Sequence, residues 1–234
     1  MSVTVEVHDL YAAYGERVLF YGLDVTIRAG TCTVVSGPNG SGKSTLLRMV
    51  CGLQRPTGGL VSYSLEASVN RRTAEERRKL TGYAGPDLNP YGELTALENL
   101  AFAARLRGVR LNDAPELLTR VGLTSNRKSD TVQTYSSGMR QRLRIALSLL
   151  GSPPVLVWDE PTAMLDAEGC RIVGQLRRDH VANGGTVLVA SHSEAEILEW
   201  ADQRIQFAAH ADTRVERSAA PHADAFGQYS GGSV

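Results

Sequence analysis

The sequence has no excess of charge of either sign. Lysine plus arginine and aspartate plus glutamate number 25 each in 234 residues, so the formal net charge is zero. Proteins that bind nucleic acid broadly usually carry a basic surface. We therefore expect no nucleic-acid partner.

Long apolar runs are also missing. A membrane-spanning helix needs roughly 18 to 20 apolar residues, whereas the longest runs here, 155–158 and 185–190, have the length of strands. The first ten residues contain Glu6 and Asp9 and do not resemble a signal peptide. These observations predict a cytoplasmic protein that reaches a membrane only through a partner.

Cysteine is scarce. Cys32, Cys51 and Cys170 are odd in number and far apart, and none of them forms a C-x-x-C pair. This spacing argues against a disulfide framework and against a metal cluster. We expect three reduced, buried thiols.

What the sequence does contain is a complete G-x-x-x-x-G-K-[ST] motif between a short β-branched run and an apolar helical pattern. Glycines let successive N–H groups point inward around phosphate oxygens, and a helix N-terminus favours an anion. Lys43 is placed to reach the β- and γ-phosphates, and the Ser44 hydroxyl to ligate Mg²⁺. The predicted nucleotide-binding residues of this segment are Gly37, Pro38, Asn39, Gly40, Ser41, Gly42, Lys43, Ser44 and Thr45.

Two other apolar strands end in polar residues. The strand 155–158 ends at Asp159 and Glu160, and the strand 186–190 is followed by His192. Apolar strands separated by helices indicate a parallel sheet, whose ligands bind at the carboxyl ends of the strands. Asp159 is the predicted second support for Mg²⁺, and Glu160 is expected to face the γ-phosphate and a water.

The order of these patterns predicts an α/β fold with a phosphate-loop (P-loop) NTPase core and a mainly parallel sheet. An antiparallel β portion lies at the N-terminus, and a helical subdomain at about 87–151 is inserted into the core. We expect a single domain over 1–207. The remainder, 208–234, lacks a core pattern and is expected to be a flexible tail.

The chain resembles the ATP-binding cassette (ABC) ATPases over roughly residues 3–207. The stretch 135–142, with sequence YSSGMRQR, resembles the LSGGQ signature of that family. The stretch 161–166 resembles the segment that follows the family's catalytic glutamate. His192 and Tyr14 match its switch histidine and its adenine-stacking aromatic residue.

The resemblance implies that two cassettes pack head to tail around two ATP molecules. Ser136, Ser137 and Gly138 of one copy would face the phosphate loop of the other, with Asp166 nearby. Glu160, His192 and Lys43 would be the catalytic residues, and Ser44 and Asp159 would hold Mg²⁺. The implied partners are a separate transmembrane permease and a second cassette, in a homodimer or a heterodimer, on the inner face of the cell membrane.

The sequence departs from the family pattern in two places. Pro86 stands where the family has a glutamine after a strand, and proline has no side chain that can touch a metal or water. Asp87 either substitutes for that glutamine near the metal or only shapes the loop. In the signature, Ser137 replaces a glycine and Met139 replaces a glutamine, whereas Ser136 and Gly138 are retained.

We therefore predict the ATP-hydrolysing subunit of an ABC transporter, similar to haem-exporter-type or related small export cassettes. One alternative is a soluble ABC ATPase that acts on ribosomes or DNA, but the chain has one cassette, no heptad run and no basic stripe. Another is a small-molecule phosphotransferase, which would have no use for the signature. Neither the transported substrate nor the direction of transport is specified by these motifs.

Overall fold

Two β-sheets and seven α-helices make up the described part of the chain. The computed structural model describes residues 2–65, 68–70, 73–111, 114–123, 130–208 and 213–216. Among the described helices, none is long and apolar enough to cross a bilayer.

The smaller sheet is antiparallel and is formed largely by the N-terminal part of the chain. Val3, Val5 and Val7 are buried while their neighbours are more exposed, as expected for a strand with one face on the core. In spatial order its strands are β2 (Arg17–Ile27), β1 (Val3–Tyr14), β4 (Gly58–Leu65) and β5 (Ser68–Asn70).

The larger sheet has five parallel strands and one antiparallel edge strand. In spatial order these are β10 (Thr213–Glu216), β9 (Gln203–Phe207), β3 (Cys32–Ser36), β8 (Thr186–Ala190), β7 (Val155–Asp159) and β6 (Thr81–Ala84). Strand β10 is the antiparallel one and pairs with β9. Every residue of β3, β7 and β8 is buried, which explains their continuous apolar sequences.

The helices connect these strands and form the inserted subdomain. They are α1 (Lys43–Cys51), α2 (Ala74–Leu80), α3 (Ala96–Arg107), α4 (Ala114–Arg120), α5 (Ser137–Ser148), α6 (Ala167–Ala182) and α7 (Glu194–Trp200). A capping box formed by Thr95 and Glu98 starts α3, and the T-x-x-E spacing of these residues in the sequence is typical of such a box. A 3₁₀ turn at Val132–Thr134 leads into α5.

Two apolar clusters hold these layers together. One contains Val5 of the antiparallel sheet, Leu46 of α1 and Leu188 of the parallel sheet, so α1 lies between the two sheets. The other lies on the opposite face of the parallel sheet and includes Leu143 and Trp158. The parallel sheet is thus covered on both faces, and the carboxyl ends of its strands remain at one edge.

The predicted α/β class is confirmed, with a parallel core sheet and an N-terminal antiparallel sheet. Tyr14 is the last residue of β1. Cys32 and Cys51 are buried free thiols, whereas Cys170 is only half-buried, contrary to the prediction that all three are buried. Of the predicted tail, β10 is described and pairs with β9, and 209–212 and 217–234 lie outside the described residues.

Candidate functional site

The phosphate loop connects β3 to α1 and depends on glycine at both ends. Gly37 and Gly42 have φ angles of 143° and 109°, which side chains disfavour. A Cβ at Gly37 would lie 2.6 Å from the Phe207 carbonyl oxygen, and one at Gly42 would lie 3.0 Å from the Phe20 ring. Phe20 and Phe207 stack edge to face at 5.3 Å, so two strands from opposite ends of the chain enclose the loop.

Lys43 is buried at the start of α1. Its Nζ donates hydrogen bonds to the carbonyl oxygens of Gly37, at 2.8 Å, and Pro38, at 3.0 Å. Both acceptors are neutral, so these bonds bring the ammonium no negative charge. A phosphate oxygen would bind this ammonium more strongly than either carbonyl does.

Ser44 and Asp159 meet at the end of β7. Burial raises the pKa of Asp159, and a hydrogen bond with Ser44 opposes that shift. Oδ2 of Asp159 is buried and has no hydrogen-bond partner among the described residues. A carboxylate oxygen and a hydroxyl are ligands that Mg²⁺ prefers, so this pair fits a magnesium site completed by phosphate oxygens and water.

Glu160 lies beside His192 across the ends of β7 and β8. His192 Nδ1 is 2.8 Å from Glu160 Oε2, and this hydrogen bond raises the pKa of His192. Glu160 has a φ of 51°, an uncommon value for a residue with a side chain. Its N–H donates to the Ala190 carbonyl at 2.9 Å, which holds this conformation against the sheet.

Part of this site forms a cavity of about 570 Å³, within the size range of small-molecule sites. Gly37, Pro38, Ser41 and His192 do not line it. The predicted site residues that line it are Tyr14, Asn39, Gly40, Gly42, Lys43, Ser44, Thr45, Asp159 and Glu160. Tyr14 lies at its rim with half of its surface exposed and a lowered pKa, caused first by a hydrogen bond with Thr45. Ser41 Oγ is buried and has no partner among the described residues.

Arg17 and Arg48 also line this cavity, and the sequence patterns do not single them out. Arg17 donates to the Gly40 carbonyl at 3.0 Å. Arg48 lies one turn beyond Ser44 on α1. The sequence does offer one sign of Arg48, because a residue four positions after Ser44 on a helix lies on the same face as Ser44. For Arg17 there is no such sign, since nothing near it in the sequence indicates that β2 passes beside the phosphate loop.

The signature residues do not line this cavity within one copy of the chain. Ser136 caps α5 by accepting a hydrogen bond from the Met139 N–H at 3.2 Å. Ser137 is exposed, so its side chain in place of a glycine meets no steric obstacle there. A Cβ at Gly138 would lie 2.9 Å from the Met164 carbonyl oxygen, which explains why this second position remains glycine.

Two side chains of α5 tie the signature helix to the segment that follows β7. Gln141 Nε2 donates to the carbonyl oxygens of Glu160, at 3.3 Å, and Pro161, at 3.0 Å. Arg142 Nη2 lies 2.7 Å from Asp166 Oδ1, and Asp166 also caps α6. These pairings join residues about twenty positions apart, and sequence patterns give no signal for them.

Pro86 and Asp87 lie in one loop but face different parts of the protein. Pro86 lines the nucleotide cavity and Asp87 does not. Asp87 Oδ1 accepts a hydrogen bond from the Tyr83 hydroxyl at 2.6 Å, and its Oδ2 lies 3.5 Å from Arg48 Nη1. Because both carboxylate oxygens are engaged, the geometry favours the alternative in which Asp87 shapes the loop over the one in which it ligates a metal.

Comparison with known proteins identifies the family. The family model described as ABC transporter matches residues 20–163. The chain belongs to the ABC transporter family. It is an ATP-binding, ATP-hydrolysing subunit of the ABC transporter type, as the motifs predict, and action on ribosomes or DNA is not favoured.

Relatives support this assignment over most of the chain. The sequence is 34% identical to a cytochrome c biogenesis ATP-binding export protein of Nitrosospira multiformis, covering 87% of this chain and 98% of the relative. It is 30% identical to a lantibiotic transport ATP-binding protein of Streptococcus pyogenes, covering 85% and 84%. The dimeric structure of a bacterial ABC transporter cassette shares the fold, with a TM-score of 0.78 at 24% identity, covering 92% and 100%.

Proposed function

We propose that this cassette hydrolyses ATP between two copies of the fold and thereby drives a permease in the membrane. The observation that carries the proposal is the Glu160–His192 contact at the cavity that Lys43 and Asp159 also line. A carboxylate held beside a histidine, next to a phosphate-binding loop, is suited to act on a water that attacks the γ-phosphate.

The residues of one copy would bind the triphosphate. The phosphate loop holds the β- and γ-phosphates, and Lys43 exchanges its two carbonyl acceptors for phosphate oxygens. Ser44 and the free oxygen of Asp159 would hold Mg²⁺, which neutralises charge on the phosphates. Tyr14 at the rim is placed to stack on the adenine.

The chemical step needs one water and one proton acceptor. Glu160 orients the water and takes its proton while the water oxygen bonds to the γ-phosphorus. The bond from that phosphorus to the bridging oxygen of ADP breaks, so the products are ADP and phosphate. His192, hydrogen-bonded to Glu160, holds that carboxylate and contacts the γ-phosphate.

A second cassette would complete the site. The N-terminus of α5 is a second anion-binding helix start, and it lies outside the cavity of its own copy. Ser136, Ser137 and Gly138 therefore face the γ-phosphate bound by the partner copy, and Asp166 lies at the same interface. Either a homodimer or a heterodimer satisfies this geometry.

The permease would dock on an apolar groove between the core and the inserted helices. This groove, of about 590 Å³, is lined by exposed Leu53, Tyr91, Phe102 and Leu106. Arg48 lines both the groove and the nucleotide cavity, which connects the two physically. Docking on a permease places the cassette on the cytoplasmic face of the membrane, and the names of its relatives favour export.

The variant Glu160→Gln tests this proposal. It keeps the side-chain shape and removes the proton acceptor, so hydrolysis should fall by roughly a hundredfold or more while ATP still binds. Gel filtration with Mg-ATP should then show a trapped dimer. The control is Glu168→Gln, which changes an exposed carboxylate on α6 that pairs with Arg171. A Glu160→Gln protein that hydrolyses ATP at the wild-type rate would refute the assignment.

A further inference from the structure

Three contacts join the segments at the carboxyl ends of β7 and β8. The first is the backbone bond from Glu160 N–H to the Ala190 carbonyl, and the second is the Glu160–His192 pair. The third joins the Thr162 hydroxyl to a carboxylate oxygen of Glu196. Beyond the first contact, the described residues show no backbone hydrogen bond between the two segments, so the other two contacts that join them are made by side chains.

Thr162 lies in a tight turn directly after Glu160. The Ala163 N–H donates to the Glu160 carbonyl at 3.2 Å, and the Leu165 N–H donates to the Thr162 carbonyl at 3.1 Å. These two bonds make 160–165 a compact unit that ends at Asp166. A force on the Thr162 side chain therefore acts on the backbone of Glu160.

Glu196 is fixed on the other side by the start of α7. Its N–H donates to the Ser193 hydroxyl at 3.4 Å, which caps the helix. Ser193 in turn donates its N–H to the Ser191 hydroxyl at 3.0 Å. His192 lies between these two serines in the sequence, so the hydrogen bonds that fix the start of α7 also fix the backbone on both sides of His192.

The surroundings of the Glu196 carboxylate include a feature that lowers the stability of the fold. Its second oxygen, Oε2, is buried and has no hydrogen-bond partner among the described residues. The cations that line the same groove between α6 and α7, Arg171 and Arg178, pair with Glu168 and Glu199. A buried carboxylate oxygen without a partner costs stability.

We propose that Glu196, acting through the Thr162 hydroxyl, is a positioning residue for hydrolysis that keeps the Glu160 carboxylate in register with His192. The inference rests on the proposed roles of Glu160 and His192 and adds a residue to them. Without the Thr162–Glu196 bond, the turn at 160–165 moves relative to α7, and the carboxylate loses its alignment with the attacking water. Small displacements of a reacting group lower the chemical rate much more than they lower substrate binding.

The variant Thr162→Val removes the hydroxyl and keeps the shape. We expect kcat to fall by about tenfold while the ATP dissociation constant changes by less than about twofold. Thr162→Ser restores the hydroxyl and should recover kcat to within about twofold of wild type. Glu196→Gln weakens the bond by removing the charge and should lower kcat by about threefold, without lowering the thermal midpoint, because a buried amide costs less than a buried carboxylate.

Two controls separate this inference from the proposed function. Glu199→Gln breaks the exposed Arg178–Glu199 pair on the same helix and should leave kcat unchanged. Glu160→Gln must abolish hydrolysis, and if it does not, the proposed function itself fails. The positioning role is overturned if Thr162→Val keeps the wild-type kcat, if Thr162→Ser is as slow as Thr162→Val, or if ATP binding is lost in parallel with the rate.

Discussion

The two helices that begin at the predicted phosphate-binding positions, α1 and α5, start in different ways. The cap of α1 is Gly42, which has no side chain and makes no capping bond, and no acidic residue lies in the first turn. The cap of α5 is Ser136, whose hydroxyl already accepts a bond from the Met139 N–H. We call the first helix start open, and the second closed in the sense that its cap already occupies the Met139 N–H.

This difference assigns an order to binding. An open helix start with a buried lysine binds triphosphate within a single chain. At α5, the Met139 N–H is already bonded to the Ser136 hydroxyl, which keeps its own hydrogen to donate to a phosphate oxygen. Fewer backbone donors are therefore free there, and we expect binding to need a partner copy that brings the phosphate close. We therefore expect nucleotide binding to precede closure of two cassettes.

The largest effect is expected at the open helix start. Lys43→Ala removes the ammonium that faces the phosphates, and ATP affinity should fall by roughly a hundredfold, the value of a charged hydrogen bond. Isothermal titration of the isolated chain measures this. Lys79→Ala, which breaks an exposed pair with Glu75 on α2, is the matched control and should leave affinity unchanged.

A smaller effect is expected at the closed helix start. Ser136→Ala should leave ATP binding to a single chain unchanged and lower hydrolysis by about tenfold, since it removes one donor to the γ-phosphate. It should also cost about 1 kcal/mol of stability as a lost helix cap. Thr95→Ala removes the cap of α3 at a similar cost, so it controls for stability. Equal loss of hydrolysis in both variants would contradict the order of binding.

The smallest effect concerns two carboxylates that differ in their partners. Oδ2 of Asp159 has no hydrogen-bond partner among the described residues, whereas both oxygens of Asp87 have one. A carboxyl whose pKa is raised in the fold destabilises the fold when it is ionised, and burial raises the pKa of Asp159 in this way. Asp159→Asn should therefore raise the melting temperature of the nucleotide-free chain by about 2–4 °C. Asp87→Asn should lower it slightly and leave the Mg²⁺ dependence of hydrolysis unchanged, because its oxygens bind Tyr83 and Arg48. A shifted Mg²⁺ titration in Asp87→Asn would restore the metal-ligand alternative.

The features that the sequence predicts are local ones. The phosphate loop, the buried strands and the cap at Thr95 each depend on residues a few positions apart, and their patterns determine their geometry. The ends of parallel strands follow from topology, which is why Asp159, Glu160 and His192 are predicted to lie together and are found so.

The contacts that the sequence does not predict join distant parts of the chain. Gln141 holds the carbonyls of residues 160 and 161, and Glu196 holds Thr162 across 34 positions. Such pairs depend on where side chains point after the fold has formed. Neither the spacing of apolar residues nor the composition of the chain predicts those directions. The same holds for the Arg48–Asp87 pair, whose two residues lie far apart in the sequence.

The edge-to-face pair of Phe20 and Phe207 has a consequence for how far the cassette can be shortened. The loop they enclose is coded entirely within residues 37–44, yet its shape is supported by a strand near the end of the described core. A fragment that ends before β9 would retain the complete phosphate-loop motif and lose Phe207, which packs against the loop. We therefore expect the smallest fragment that binds nucleotide on its own to extend at least to residue 207, far beyond the phosphate-loop motif.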